Sequence, residues 1–362
     1  MRTCNRIVLA LACLASLSCS SDHTESITVV SFGGSYARAS VLAYHQAFTK
    51  ETGIEVRLED YNGGLAQIRA QVDAGNVFWD VVDLEMPDAE LACNEGIIEL
   101  VDLNAMPDGV GGEPAQQDYP ANTLTECGPA GLYYSTIYAY NSRYVGEHAP
   151  SSIEDFFDLD TFPGRRGMRR VPFANLEFAL MADGVPLGEV YATLDTAEGL
   201  DRAFAKLDTI KNDVVWWEAG AQPPQMLADG EVVMSTAYNG RVFNAQILEA
   251  QPFVVVWDGQ LLSFGGPLGI VAGTPRFEAA LAFVHFANRP QSQANISKYI
   301  SYSPVRLSAG ALVGNHVDTG IDMHPHMPAS PENTRRALKS DWRWWSEHRE
   351  ELNERFSAWL AR

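Results

Sequence analysis

The sequence predicts an α/β fold built as two lobes, and three observations carry that prediction. Strand-like apolar runs alternate with helical stripes from Ile27 to Glu85, the same pattern restarts after Asn141, and 362 residues are many for one core. In the first stretch, Ile27 to Ser31 is a short β-rich run followed by a glycine turn, Phe32-Gly33-Gly34-Ser35-Tyr36. Val41, Tyr44 and Phe48 then repeat at helical spacing, and Gly53 stops that helix. Ile54, Val56 and Leu58 alternate with polar residues as a second strand, Leu65, Ile68 and Val72 form a second helical stripe, and Trp79 to Leu84 is a third strand. Such repeats give a parallel sheet with right-handed crossovers, whose ligands bind beyond the carboxyl ends of the strands. That places Phe32–Tyr36 and Glu85–Asp88 at a ligand site. Gly33 and Gly34 let the backbone approach a ligand closely, and Ser35 is expected to cap the next helix. An ordinary tight turn is the alternative. A dinucleotide fingerprint is excluded, because the third glycine is missing.

The second lobe is read in the same way. Leu132 to Tyr140 is an aromatic, β-branched strand that crosses between lobes. Ser152 to Phe157, Asn175 to Asp183 and Ala197 to Ile210 read as helices. Val214 to Trp217, Glu231 to Tyr238 and Phe253 to Trp257 read as strands, and Leu261 to Ala272 as a return strand broken at Gly265-Gly266-Pro267. Phe277 to Arg289 is a helix, and from Pro331 the chain is helical, with Trp342, Trp345 and Trp359 pinning the tail to the body. Three strands end on aromatic or polar groups: Trp216-Trp217-Glu218, Tyr238-Asn239-Gly240-Arg241 and Trp257-Asp258-Gly259. Aromatic faces attract organic cations, and nearby carboxylates add complementary charge. Core or domain-interface packing is the alternative for each tryptophan. The expected lobes are 27–138 with 261–303, and 139–260 with 304–362, hinged near Tyr138–Asn141 and Trp257–Gln260.

The amino terminus reads as an export leader over 1–18. Arg2 and Arg6 precede an apolar run from Ile7 to Leu17 that is too short to span a bilayer. Cys19 follows Ser16-Leu17-Ser18 and is expected to accept a lipid, with 19–26 as a polar tether. Simple signal cleavage is the alternative. The formal charge is −20, and losing Arg2 and Arg6 with the leader makes the mature chain more acidic still. Nucleic-acid binding is excluded on that ground, and cationic ligands are favoured at long range. With Cys4 and Cys13 removed and Cys19 lipidated, Cys93 and Cys127 remain and are expected to form a disulfide. No histidine stands at metal-ligand spacing from either cysteine, and neither a metal nor a cofactor is expected.

These blocks, taken in order, carry a resemblance. ITVVSFGGSYARA, AFTKETGIEVRLEDY, FWDVVDLE with CNEGIIELVD, LADGEVVMSTAYNG, VVVWDG, ALAFVHFANRP and YISYSPV resemble the exported solute-binding proteins of ABC transporters. Within them the chain is similar to the spermidine/putrescine-binding family. The resemblance implies a two-lobed, type II periplasmic-binding-protein-like fold that clamps its ligand by hinge closure. It also implies ligand contacts from Phe32, Ser35 and Tyr36 after the first strand, Glu85 after the third, Tyr238 before Asn-Gly, and Tyr302 before the late proline turn. Glu177 is the acid nearest the family's second-lobe carboxylate. Where the family carries another acid in the return strand, this chain has Phe264-Gly265-Gly266-Pro267 and no carboxylate; Glu85, Glu218 or Asp258 would have to compensate, with Trp217 beside them.

The function expected is an extracytoplasmic, periplasmic or cell-envelope receptor. It would capture a small cationic or amine-bearing solute such as a polyamine, work as a monomer, and present the solute to an ABC permease. A sugar, amino acid or oxyanion ligand is the alternative within this class. A two-lobed exported enzyme is the alternative outside it; Ser35 has no histidine partner in the pattern, and nothing fixes the separation of Glu218 and Asp258.

Overall fold

The computed structural model describes residues 25–146 and 148–362. The expected leader, the lipid-accepting Cys19 and nearly all of the tether lie outside the described residues. Strands β1 (Ser26–Ser31), β2 (Glu55–Asp60), β3 (Val81–Glu85), β4 (Leu132–Asn141), β5 (Arg166–Arg169), β6 (Val214–Trp217), β7 (Met234–Tyr238) and β8 (Phe253–Ile270) form the body of a ten-stranded sheet in the order β2-β1-β3-β8-β4-β7-β5-β6. β1 runs parallel to β2 and β3, as the crossover pattern requires. In the second lobe β5 runs parallel to β6 and β7.

β4 and β8 belong to both lobes. Phe253–Val256 pairs antiparallel with Tyr138–Asn141, and Leu261–Gly265 pairs with Leu132–Thr136, with a register shift between Val256 and Leu261. The two segments expected on either side of Trp257–Gln260 are therefore one strand. The Gly265-Gly266-Pro267 break lies inside it, where Gly265 faces Glu85 of β3.

Each lobe is a helix–sheet–helix sandwich. In the first lobe, one apolar cluster is built around Val29, Phe48 and Phe283 and another around Val30, Ile68 and Leu84. Alternation along β1 sends Val29 to one face and Val30 to the other. In the second lobe, Phe178, Leu180 and Phe356 centre one cluster and Trp217, Leu227 and Val242 the other. No helix among the described residues is long and apolar enough to cross a membrane.

Six helices matter below. α1 (Gly34–Ser40) continues through a π-turn, Val41–His45, into α2 (Gln46–Thr52), which ends at Gly53 with φ 79°. Ser35 does not cap α1: the helix begins one residue earlier, with Gly33 at the N-cap position and no side-chain cap. α3 (Met86–Asn94) follows β3, α4 (Asn175–Ala182) lies in the second-lobe core, and α5 (Asn239–Leu248) follows β7. α6 (Trp342–Leu360) buries Trp342, Trp345, Leu352, Phe356 and Trp359 at helical spacing. The tail helix begins at Trp342 and not near Pro331, because Asn333 holds a turn there by donating to the carbonyls of Pro325 and Met327. A disulfide joins Cys93, in α3, to Cys127.

Candidate functional site

The carboxyl ends of β1, β3 and β7 converge with β4 and β8 on a small open cavity between the lobes. Phe32, Tyr36, Tyr134, Tyr238 and Tyr302 give it aromatic walls, Leu84, Leu132 and Gly265 complete the lining, and Asp83, Glu85 and Arg241 supply charge. The aromatic rings brace one another. Tyr134 meets Tyr238 edge-on at 5.6 Å, and Tyr36 and Tyr302 lie 5.8 Å apart.

Arg241 stands in the first turn of α5. The turn is fixed by Asn239, whose side chain accepts from the Ser135 amide at 2.9 Å and donates to the Ser301 carbonyl. Arg241 is 6% exposed, and its Nη2 donates across the cleft to the Phe32 carbonyl at 2.9 Å. Its buried Nε–H has no acceptor among the described residues. Two glycines make the slot it occupies. A Cβ on Gly34 would sit 2.5 Å from Nη1, and one on Gly220 would sit 2.7 Å from Nε.

The two carboxylates differ in their commitments. Both oxygens of Glu85 face arginines from other elements: Oε1 lies 3.3 Å from Arg169 Nη1 at the end of β5, and Oε2 lies 3.6 Å from Arg349 Nη2 on α6. Arg349 also reaches Asp88 Oδ1 at 3.0 Å. Asp83 is 6% exposed and takes hydrogen bonds on one oxygen only, Oδ2, from the Tyr36 hydroxyl at 2.6 Å and Ser31 Oγ at 3.2 Å. Burial pushes its carboxyl up to about 7, against those two donors.

Of the residues expected to touch ligand, Phe32, Tyr36, Glu85, Tyr238 and Tyr302 line this cavity. Ser35 does not line it and lies in two other pockets, one of them shared with Arg241. Trp217 stands behind the wall, its ring edge-on to Tyr238 at 5.8 Å. Three expected acids are committed elsewhere. Glu177 is fully buried in the second-lobe core, accepting from Trp345 Nε1 at 2.6 Å and the Tyr191 hydroxyl at 3.1 Å. Glu218 is exposed on Arg170 at 3.2 Å. Asp258 holds Arg336 at 3.2 Å and the Ile153 amide at 3.1 Å. The sequence reading missed Asp83, Tyr134, Arg169 and Arg241. The two-residue period of β3 puts Asp83 on the face of Glu85 and would have found it.

Comparison with known proteins agrees with this architecture. Residues 43–329 match the family model described as bacterial extracellular solute-binding protein. A γ-aminobutyric acid (GABA)-binding protein of Pseudomonas aeruginosa is 41% identical over 98% of this chain and 96% of its own length. An ABC-transporter substrate-binding protein of Bradyrhizobium japonicum superposes with TM-score 0.80 at 33% identity, over 92% of this chain and 99% of that one. A solved structure of the Atu4243 GABA receptor superposes with TM-score 0.78 at 30% identity, over 93% and 98% of the two chains. The chain therefore belongs to the bacterial extracellular solute-binding proteins, two-lobed ABC-transporter receptors, not enzymes, that bind a small molecule and deliver it to a membrane permease.

Proposed function

We propose that this receptor captures a small zwitterionic amino acid of the GABA type, carboxylate at one end and ammonium at the other. One observation carries the reading: Arg241 lines the cavity, and its buried Nε–H has no acceptor among the described residues. Leaving a buried charged donor unpaired is costly. A carboxylate suits it, being oppositely charged and able to accept the Nε–H in a charge-assisted bond. The glycines that flank the guanidinium keep Nε and Nη1 clear of side chains. Tyr and Phe walls pack against the methylenes between the two charged ends, and their faces favour the ammonium. The GABA ligand of the Pseudomonas relative supports the same class.

A polyamine offers no carboxylate to Arg241 and would bring its cations beside that guanidinium. The resemblance to the spermidine/putrescine-binding family supports an amine-bearing ligand, and the arginine selects among amines. Export by the leader and anchoring through a lipid on Cys19 belong to the same reading.

A thermal-shift and calorimetry panel tests it, since a ligand of the folded state raises the melting temperature. The panel holds GABA, its shorter and longer ω-amino homologues, butyrate, butylamine, putrescine and spermidine. An ω-amino acid should bind at least tenfold more tightly than either ligand lacking one charged end. Tight putrescine or spermidine binding with no response to any amino acid would overturn the reading.

A further inference from the structure

We propose that Asp83, and not Glu85, is the counter-ion that receives the ligand's ammonium group, through its Oδ1 oxygen. The assignment rests on the zwitterion reading and adds the residue that would decide it. Elimination comes first. Glu85 has an arginine on each oxygen, Arg169 from the second lobe and Arg349 from the tail helix. An ammonium arriving there would enter a carboxylate already shared by two guanidiniums. Glu177, Glu218 and Asp258 do not line the cavity.

Asp83 meets the positive requirements. It lines the cavity, it is nine-tenths buried, and both of its side-chain hydrogen bonds converge on Oδ2. No described residue donates to Oδ1. The donors on Oδ2 hold the carboxylate plane in place, and the Tyr61 hydroxyl, donating to the Asp83 carbonyl, fixes the strand beneath it. The carboxylate also stands where the main cavity meets a smaller chamber inside the first lobe. Tyr36, Asp83, Leu132 and Gly265 line both spaces. An ammonium can therefore reach Oδ1 with aromatic faces around it, which strengthens a charge-assisted bond by keeping water out.

The site's ionisation gives a second handle. The groups facing Asp83 are the hydroxyls of Tyr36, Tyr44, Tyr61 and Tyr302, the Glu85 carboxylate on its own strand, and Arg241 across the cavity. Burial pushes all four tyrosines further above 10, so they stay neutral where Asp83 titrates.

The test compares GABA with butyrate, its counterpart without the ammonium, by competition calorimetry at pH 8. Wild type should prefer GABA. Asp83→Asn should cut GABA affinity roughly ten- to hundredfold without weakening butyrate, so the preference collapses. Glu85→Gln should shift both ligands together, as loss of a lobe-to-lobe contact would. Preference retained in folded Asp83→Asn, or lost in Glu85→Gln, overturns the assignment while the zwitterion reading stands. Absence of any preference in wild type defeats that reading and the assignment with it. Should Asp83→Asn not fold, the wild-type pH profile decides. From pH 8 to pH 6 GABA affinity should fall about tenfold as Asp83 takes up a proton, and butyrate affinity should not fall; a flat GABA profile refutes the assignment.

Discussion

Replacing Glu177 with Gln should reduce the pH dependence of stability and leave ligand affinity alone. Glu177 Oε1 holds the Trp345 and Tyr191 donors, while Oε2 is buried without a partner among the described residues. Burial pushes the carboxyl up from 4.5 to about 7, with the Trp345 bond the first influence opposing it. Between those values the folded chain keeps a proton that the unfolded chain has released. Protons therefore favour folding: this contribution is complete below about pH 4.5, declines as pH rises, and is gone above about pH 7. The difference amounts to about 3 kcal/mol. Asp83, raised by the same cause, acts over an overlapping window, and burial raises Asp88 and Asp258 as well, so the variant removes one of several parallel slopes. Gln keeps the size and an acceptor for Trp345 but cannot ionise. Urea denaturation of ligand-free protein at pH 4.5 and pH 8 measures the effect. The fall in unfolding free energy between those values should be smaller in Glu177→Gln by about 3 kcal/mol. An equal fall in both proteins refutes the argument. A tenfold loss of ligand affinity in folded Glu177→Gln would instead give Glu177 the ligand-binding role that the family resemblance implied.

Two further outcomes follow from the geometry. The disulfide between Cys93 and Cys127 spans 34 positions, and in the chain-entropy model opening it should cost about 4 kcal/mol; denaturant midpoints with and without reductant measure that, and free thiols at both positions in unreduced, denatured protein would contradict the bond. Gly220→Ala places a Cβ 2.7 Å from Arg241 Nε and 3.0 Å from the Tyr238 ring, so the guanidinium must shift; amino-acid affinity should fall roughly tenfold, about 1.4 kcal/mol, with the melting temperature little changed, and unaltered affinity would remove Arg241 from the carboxylate site.

Much of the fold was legible because the first lobe obeys simple periods. Val41, Tyr44 and Phe48 mark one helix face, and Gly53 closes it with the backbone conformation its lack of a side chain allows. The strand from Val214 to Trp217 was read with its observed ends. β8 was not legible as one element. Trp257-Asp258-Gly259 and Gly265-Gly266-Pro267 both look like breaks, and only pairing with β4 and β3 holds them extended. Of the site's lining, Phe32, Glu85 and Tyr238 were readable from strand ends, and Tyr36 and Tyr302 from the family resemblance, but Tyr134, Asp83 and Arg241 were not. Which acid stays free depends on partners far along the chain: Glu177 is claimed by Trp345 and Asp258 by Arg336. Arg169 and Arg241 stand at the ends of elements, and contacts to the opposing lobe, Glu85 for one and the Phe32 carbonyl for the other, bring them to the cleft.

The β4–β8 ribbon crosses between the lobes as a hydrogen-bonded ladder rather than as loose connectors. A flexible tether would let two bodies swing in many directions. A paired ribbon resists bending within its own plane but yields to twist, the deformation strands already carry. Between Val256 and Leu261, where the register shifts, the ribbon is held from outside: Gln260 is buried against Ser135 and the carbonyls of Pro328 and Asn333, and Asp258 pairs with Arg336. Such a linkage favours a twist of one lobe on the other over free swinging in every direction. Any change in the angle between the lobes has to pass through that paired ribbon.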